Sequence, residues 1–381
     1  MNFLKESTSL LVISYVIYII IEECNSQLSL PFISVDSGYL ITFEIGNPSL
    51  TLNQIIDQSL PYSLLYSEEH SNTRSTSKEI IEDGLTIELS QDKIILHFTD
   101  SSTCTIPKFE YYFLKDYNDI KSNFFPYGLS LAYSFYNKEM SLIDHLYNQQ
   151  VISHKLYAFQ ANKDALFGTL YLGEVPDTLK TLYPYSNMFN IEENHTSWGW
   201  TVKQVKFGNS NYNISYSNNY VYVNSGYPNI SIPDTYFKKH CDYVSSISLC
   251  NQYVHEDFTD VSCSKYIINS LSNITFYFDY NNIMTFKLSS FFKCNDSKCT
   301  SLIISHRNSN DWMLGTIFLD NFLSIFDYER KTVSLLSKEK YRIDSVYGRN
   351  TTVKHIVLCN GIVLFIYCVV LFIFSKIKNI K

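Results

Sequence analysis

The segment Val221-Tyr222-Val223-Asn224-Ser225-Gly226-Tyr227-Pro228-Asn229-Ile230-Ser231-Ile232-Pro233 constrains the fold of this chain most. Apolar residues run into a small polar turn, Asn-Ser-Gly, and an Ile-Ser-Ile-Pro run closes the unit. This predicts a buried strand, a tight loop and a second extended piece that ends at a proline. The stretch Leu52-Asn53-Gln54-Ile55-Ile56-Asp57-Gln58-Ser59-Leu60 has the same shape. Two such units, well over a hundred residues apart, predict two similar lobes facing each other across a cleft. The first unit delivers a carboxylate, Asp57, and the second an amide, Asn224.

A chain of 381 residues is long for one typical domain and suits two lobes. Its 31 Tyr and 26 Phe, with abundant Val, Ile and Ser, favour strands over helices. Only 12 Gly and 9 Pro are present, so Asn, Ser and Asp must serve the turns. A formal net charge of -7 excludes the basic footprint of a nucleic-acid binder.

Both ends carry apolar runs. Leu10 to Ile21 follows Lys5, and Cys24 and Ser26 supply small residues for cleavage after Ser26, which predicts a signal peptide over residues 1–26. A signal anchor is the alternative. Ile356 to Phe374 is long enough to cross a bilayer core of about 30 Å. Lys376, Lys378 and Lys381 follow it, which predicts a single-pass type I protein with a cytosolic tail at 375–381 and a juxtamembrane linker at 341–355. A lipid anchor that replaces the tail is the alternative, and the trailing lysines argue against it. The body is then expected to be lumenal or extracellular, on a membrane of the secretory pathway or cell surface.

Six cysteines, Cys104, Cys241, Cys250, Cys263, Cys294 and Cys299, fall in that body, and an even count in an oxidising compartment favours disulfides. The close spacing of Cys294 and Cys299 also suits metal ligation, yet no second His or Cys set completes such a site, so no metal is expected. Sequons at Asn194, Asn213, Asn273, Asn295 and Asn350 predict glycosylation; a further one at Asn229 lies too near the inner turn to be modified.

Reading onward, Tyr39 to Gly46 alternates as a strand and Asn47-Pro48 makes a turn. Residues 67–83 read as polar loop. Leu85 to Ser90 and Lys93 to Phe98 read as a hairpin across Gln91-Asp92. Ser141 to Tyr147 has helical spacing. Residues 186–195 form the expected crossing between an N-terminal lobe, 27–185, and a C-terminal lobe, 186–340, which opens on Trp198-Gly199-Trp200.

Several of these stretches together resemble the pepsin-like aspartic endopeptidases. The motifs are Tyr39-x-x-Thr42-x-x-Ile45-Gly46-x-Pro48 with Ile55-Ile56-Asp57, then Leu129-Ser130-Leu131-Ala132-Tyr133. Gly168-Thr169-Leu170-Tyr171-Leu172-Gly173, Trp312-Met313-Leu314-Gly315 and Ile325-Phe326-Asp327 complete the set. The resemblance spans roughly residues 39–337. It implies a mainly β, bilobal fold with no cofactor.

It also implies catalysis by two aspartates that share one proton and one water. Like charges that close cannot both ionise, so one carboxyl acts as base and the other as acid. This sequence departs from that pattern at the decisive points. Asp57 is kept, but Asn224 stands at the second position and cannot ionise. The family's Asp-Thr-Gly-Ser turn is here Asp57-Gln58-Ser59-Leu60, so Gln58 replaces a bracing hydroxyl and Ser59 adds a Cβ beside the pair; the second hydroxyl survives as Ser225. Leu89-Ser90 stand where the family carries a flap tyrosine. The resemblance places Ser59, Leu89, Ser225 and Gly226 along the substrate groove. It further implies a bridge from Cys263 to Cys294 or Cys299. Cys241 with Cys250 is a second candidate, which leaves one of the last pair for a cross-lobe bond to Cys104.

The expectation is a membrane-anchored aspartic-endopeptidase homologue with a silent catalytic pair, whose cleft binds a peptide or protein ligand. The alternatives are a working endopeptidase with an unusual pair, active at acid pH, and a structural surface glycoprotein.

Overall fold

The computed structural model describes residues 28–338 apart from 36–37, 61–62, 66–76, 83–84, 115–127, 133–140, 163–165, 193–196, 209, 214–219, 248–249, 255–257, 279–281 and 307–311. The signal peptide, linker, spanning run and tail expected from the sequence therefore lie outside the described residues, as do Asn194 and Asn350. No helix among the described residues is long and apolar enough to cross a membrane.

The described residues form mainly β structure, in sheets of 13, nine and four strands. The strand Gly38–Ile45 shows why. Tyr39, Ile41, Phe43 and Ile45 are all buried, while the alternate Thr42 and Glu44 face outward. That two-residue period matches a pleated strand with one apolar face.

One sheet joins the two halves of the chain. Its strands run in the order Tyr185–Asn190, Thr332–Ser337, Leu323–Asp327, Leu156–Ala161, Phe167–Leu172, Ser29–Val35. The last strands of the described chain thus lie antiparallel beside strands of the first half, with Ile325 opposite Ala158. The first residues of the expected crossing, 186–190, lie in the strand Tyr185–Asn190, the outer strand of this shared sheet against Thr332–Ser337. Trp198 is wholly buried over it, with ring centroids 5.3 Å from Phe326 and 4.8 Å from Tyr328.

The hairpin expected across Gln91-Asp92 does not form. One strand, Leu85–His97, passes straight through that point, with a bulge between Asp92 and Ile94. Both polar side chains find partners across the ladder: Gln91 Nε2 donates to Glu110 Oε1 at 3.1 Å, and Tyr111 donates to Asp92 Oδ2 at 2.9 Å. The chain turns instead at 98–102, where Asp100 Oδ1 accepts from the backbone N–H of Ser102. A side chain that caps its own turn is better turn chemistry than an unconstrained Gln-Asp pair. The residues 77–82, read as loop, form the strand Ser77–Glu82, which pairs antiparallel with Leu85–Ser90.

The disulfides also differ from expectation. Cys250 is bonded to Cys263 and Cys294 to Cys299, while Cys104 and Cys241 are free thiols. Strand register explains this. Cys250–Val254 folds back on Phe258–Ser264 with Cys250 opposite Cys263, and Phe292–Cys294 on Lys298–Ser301 with Cys294 opposite Cys299. Directly opposed residues lie within bonding reach. Cys263 also faces Cys299, but each is taken by its hairpin neighbour. The pairing of Cys241 with Cys250 and the cross-lobe bond of Cys104 fail because Cys250, Cys294 and Cys299 are all bonded elsewhere, which leaves Cys241 in the helix Asp234–Ile247 and Cys104 in the strand Thr103–Leu114 as thiols.

Among the sequons, Asn273 and Asn295 are exposed, and the Asn229 carbonyl accepts from the Gly315 N–H. Asn213 ends the strand Ser210–Asn213 opposite Gln204.

Candidate active site

Each half of the chain brings one strand to the point where the two turns meet, in the same way. The strand Leu50–Asp57 buries Leu52, Gln54 and Ile56 and ends on Asp57. The short strand Leu129–Ser130 runs parallel to that end, and the Leu131 N–H donates to the Asp57 carbonyl at 2.9 Å. In the second lobe, Tyr220–Val223 runs parallel to Trp312–Leu314, and the Asn224 N–H donates to the Leu314 carbonyl at 3.0 Å.

The two ends meet. Ser225 Oγ donates to the Ile56 carbonyl at 2.7 Å, and the Ser225 N–H donates to Gln58 Oε1 at 2.7 Å. Gln58 therefore keeps half of a brace that the sequence suggested was lost: its amide oxygen accepts across the lobes where a hydroxyl was expected. The Tyr39 N–H adds a third tie, to the Ser225 carbonyl at 2.9 Å. All of these groups are buried, so an orphaned partner would be costly. Ser225→Ala is expected to lower stability by about 1–3 kcal/mol, measured by urea unfolding at pH 7.

Within this frame Asp57 is 2 % exposed and Asn224 6 % exposed. Asp57 Oδ1 accepts from the Ser59 N–H at 2.6 Å, from Ser59 Oγ at 2.7 Å and from the Leu60 N–H at 3.2 Å. Asn224 Oδ1 accepts from the Gly226 N–H at 2.7 Å, which fixes the amide with Nδ2 pointing the other way. Nδ2 donates to Ser59 Oγ at 3.0 Å and lies 3.7 Å from Met313 Sδ. Burial pushes the Asp57 carboxyl above its ordinary range; the donors from Ser59, Leu60 and Asn224 pull the other way but do not cancel it. Gly226 is required by close approach, because a Cβ there would stand 2.6 Å from Asp57 Oδ2.

The structure thus gathers Asp57, Asn224, Ser59, Ser225 and Gly226 at one point. It does not bring Leu89 into this hydrogen-bonded group: Leu89 stands mid-ladder, opposite Lys78 on one side and Tyr112 on the other. Sequence reasoning missed Met313, the apolar backing of Asn224, and Ser130, whose hydroxyl donates to the Leu60 carbonyl at 2.6 Å and holds the Asp57 loop from below. The signal for Ser130 was its place in the Leu129-Ser130-Leu131-Ala132-Tyr133 motif. No group of three or more His, Cys, Asp or Glu suited to a metal occurs among the described residues. The chemistry on offer around Asp57 is its carboxyl, the Ser59 hydroxyl and the Asn224 amide, and of these three side chains the carboxyl is the one that acts as an acid.

Comparison with known proteins agrees with this architecture. The crystal structure of an aspartic proteinase from Irpex lacteus superposes with a TM-score of 0.62 at 15% identity, over 83% of this chain and 99% of that one. That likeness concerns the fold. A search of curated protein sequences finds no significant match. The family model described as eukaryotic aspartyl protease matches residues 127–338, which include Asn224 but begin after Asp57. That match covers more than half of the chain, so the chain belongs to the eukaryotic aspartyl protease family.

Proposed function

We propose that this family member is catalytically silent and uses its inter-lobe cleft to bind an extended peptide or a segment of a protein partner. The observation that carries this reading is Asn224, which takes the place opposite Asp57 with its Nδ2 turned toward Ser59. An amide can neither ionise nor carry the acidic proton that two carboxyls share, and loss of a positioned acid or base typically costs about 10²–10⁴ in rate. The sequence motifs at both ends support a membrane-anchored protein of the secretory pathway or cell surface, through the apolar run at 356–374.

The test is acid-pH hydrolysis of a peptide library by purified protein, with Asn224 verified intact by mass spectrometry and Asp57→Ala as control. The expected result is no cleavage that depends on Asp57. Cleavage by the intact chain that disappears in Asp57→Ala overturns the reading in favour of a working endopeptidase.

A further inference from the structure

Ser59 occupies the central position of the site. Its hydroxyl donates to Asp57 Oδ1 at 2.7 Å and accepts from Asn224 Nδ2 at 3.0 Å, so one oxygen bridges the two facing side chains. Paired-carboxyl hydrolysis needs a water in that relation to its two side chains, giving a proton to one and held by the other. Two oxygens cannot share the place, because non-covalent O···O contacts do not close below about 2.5 Å. The serine is also hard to dislodge. Its backbone N–H and its hydroxyl both bond the same carboxylate oxygen, at 2.6 and 2.7 Å, so turning the side chain away gives up a charge-assisted hydrogen bond and strips Asn224 Nδ2 of its oxygen acceptor. Of the three residues, Asp57 and Asn224 are buried and Ser59 is half-buried, which puts Ser59 on the solvent side of the pair.

We propose that Ser59 is a built-in stand-in for the attacking water. The catalytic point is filled by the chain itself before a ligand arrives. The ligand class turned away is a peptide with a tetrahedral hydroxyl-bearing carbon at the cleavage position, since that hydroxyl needs the same place. Ligands that lie along the cleft without inserting a hydroxyl remain acceptable. Ser59 acts through Asp57 and Asn224 and is a positioning residue. The inference rests on the reading of the cleft as a silent peptide site and gives that silence a second cause, in which Asn224 serves as the donor that holds the Ser59 hydroxyl.

The probe is pepstatin, a peptide with a secondary hydroxyl where a scissile carbonyl would lie. Binding is measured by calorimetry at acid pH for the wild type, Ser59→Gly, Ser59→Ala and Ser59→Thr, each checked for cooperative melting. Hydrolysis of a peptide substrate is recorded on the same samples. The expected result is at least tenfold tighter binding to the Gly and Ala variants than to the wild type. Ser59→Thr, which keeps the hydroxyl, should behave as the wild type; a purely structural role for Ser59 would not sort the variants by hydroxyl. Equal binding by the wild type and Ser59→Gly, without hydrolysis, overturns this inference and leaves the silent reading standing. Hydrolysis by the wild type overturns the silent reading and this inference together, since water then reaches the place assigned to the Ser59 hydroxyl. Absence of binding by all folded variants overturns both the peptide-cleft reading and this inference.

Discussion

Trp198→Ala should lower the stability of the folded chain by about 3–5 kcal/mol, the range for removing a fully buried large aromatic side chain. Trp198 is wholly buried, and its ring meets Phe326, Tyr328 and Tyr157 at 5.3, 4.8 and 5.9 Å. Tyr157 belongs to a strand of the first half of the chain, and Phe326 to a late strand beside it. The cavity therefore opens where the halves share one sheet. Trp198 also donates from Nε1 to the Leu131 carbonyl at 2.9 Å. Leu131 in turn holds the Asp57 carbonyl through its N–H, so the loss reaches the Asp57 turn. Trp198→Phe should cost much less. It keeps most of the apolar surface, and the Leu131 carbonyl still accepts from Tyr157 and Tyr328. Urea unfolding at pH 7, followed by circular dichroism, separates the two variants. A cost for Trp198→Ala no larger than that for Trp198→Phe would show that this ring does not hold the halves together.

Acidification should weaken the fold through His240. The imidazole is fully buried between Phe207 and Phe237, with ring centroids at 5.3 and 5.9 Å. Nε2 faces Ser301 Oγ at 3.3 Å, and Nδ1 has no hydrogen-bond partner. Burial lowers its pKa from 6.5 to about 3. The folded state thus resists a proton that the unfolded state accepts. Stability from this group is complete above pH 6.5 and is lost progressively as pH falls toward 3. At 1.36 kcal/mol per pKa unit, the loss between pH 7 and pH 4.5 is about 3 kcal/mol.

Asp57 works in the opposite sense. Its raised carboxyl pKa means the folded state takes up a proton before the unfolded one, which favours folding below the unfolded pKa and is lost as pH rises through the folded value. His240→Phe isolates the imidazole. It fills the same aromatic pocket, and Ser301 Oγ keeps its bonds to Ile303. The variant should lose most of the acid slope in urea titrations at pH 7 and pH 4.5. An unchanged slope would mean that His240 is already protonated or exposed in the folded chain.

The sequence by itself determined the features that depend on neighbours along the chain. The alternation at Tyr39, Ile41, Phe43 and Ile45 specifies a strand with one buried face, and that strand is present. Ser141 begins a helix over Leu142–Asn148 because its hydroxyl accepts from the Asp144 N–H, three residues on. The turns at Asp57 and Asn224 were legible for the same reason: each is an apolar strand that runs into small polar residues.

Tertiary structure decided everything that depends on which strand lies beside which. Cys263 lies opposite both Cys250 and Cys299, and the bond of Cys299 to Cys294 across their own hairpin leaves Cys263 to Cys250. Gln91-Asp92 has the composition of a turn, but Glu110 and Tyr111 across the ladder satisfy it as strand. Gln58 reads as a lost hydroxyl until Ser225 arrives from 167 positions away to donate to it. Ser59 reads as an added Cβ until Asn224, 165 positions away, turns its amide onto the hydroxyl. A hydrogen bond between such distant residues leaves no periodic trace in sequence, because neither partner's local conformation encodes it; long-range packing alone brings the two together.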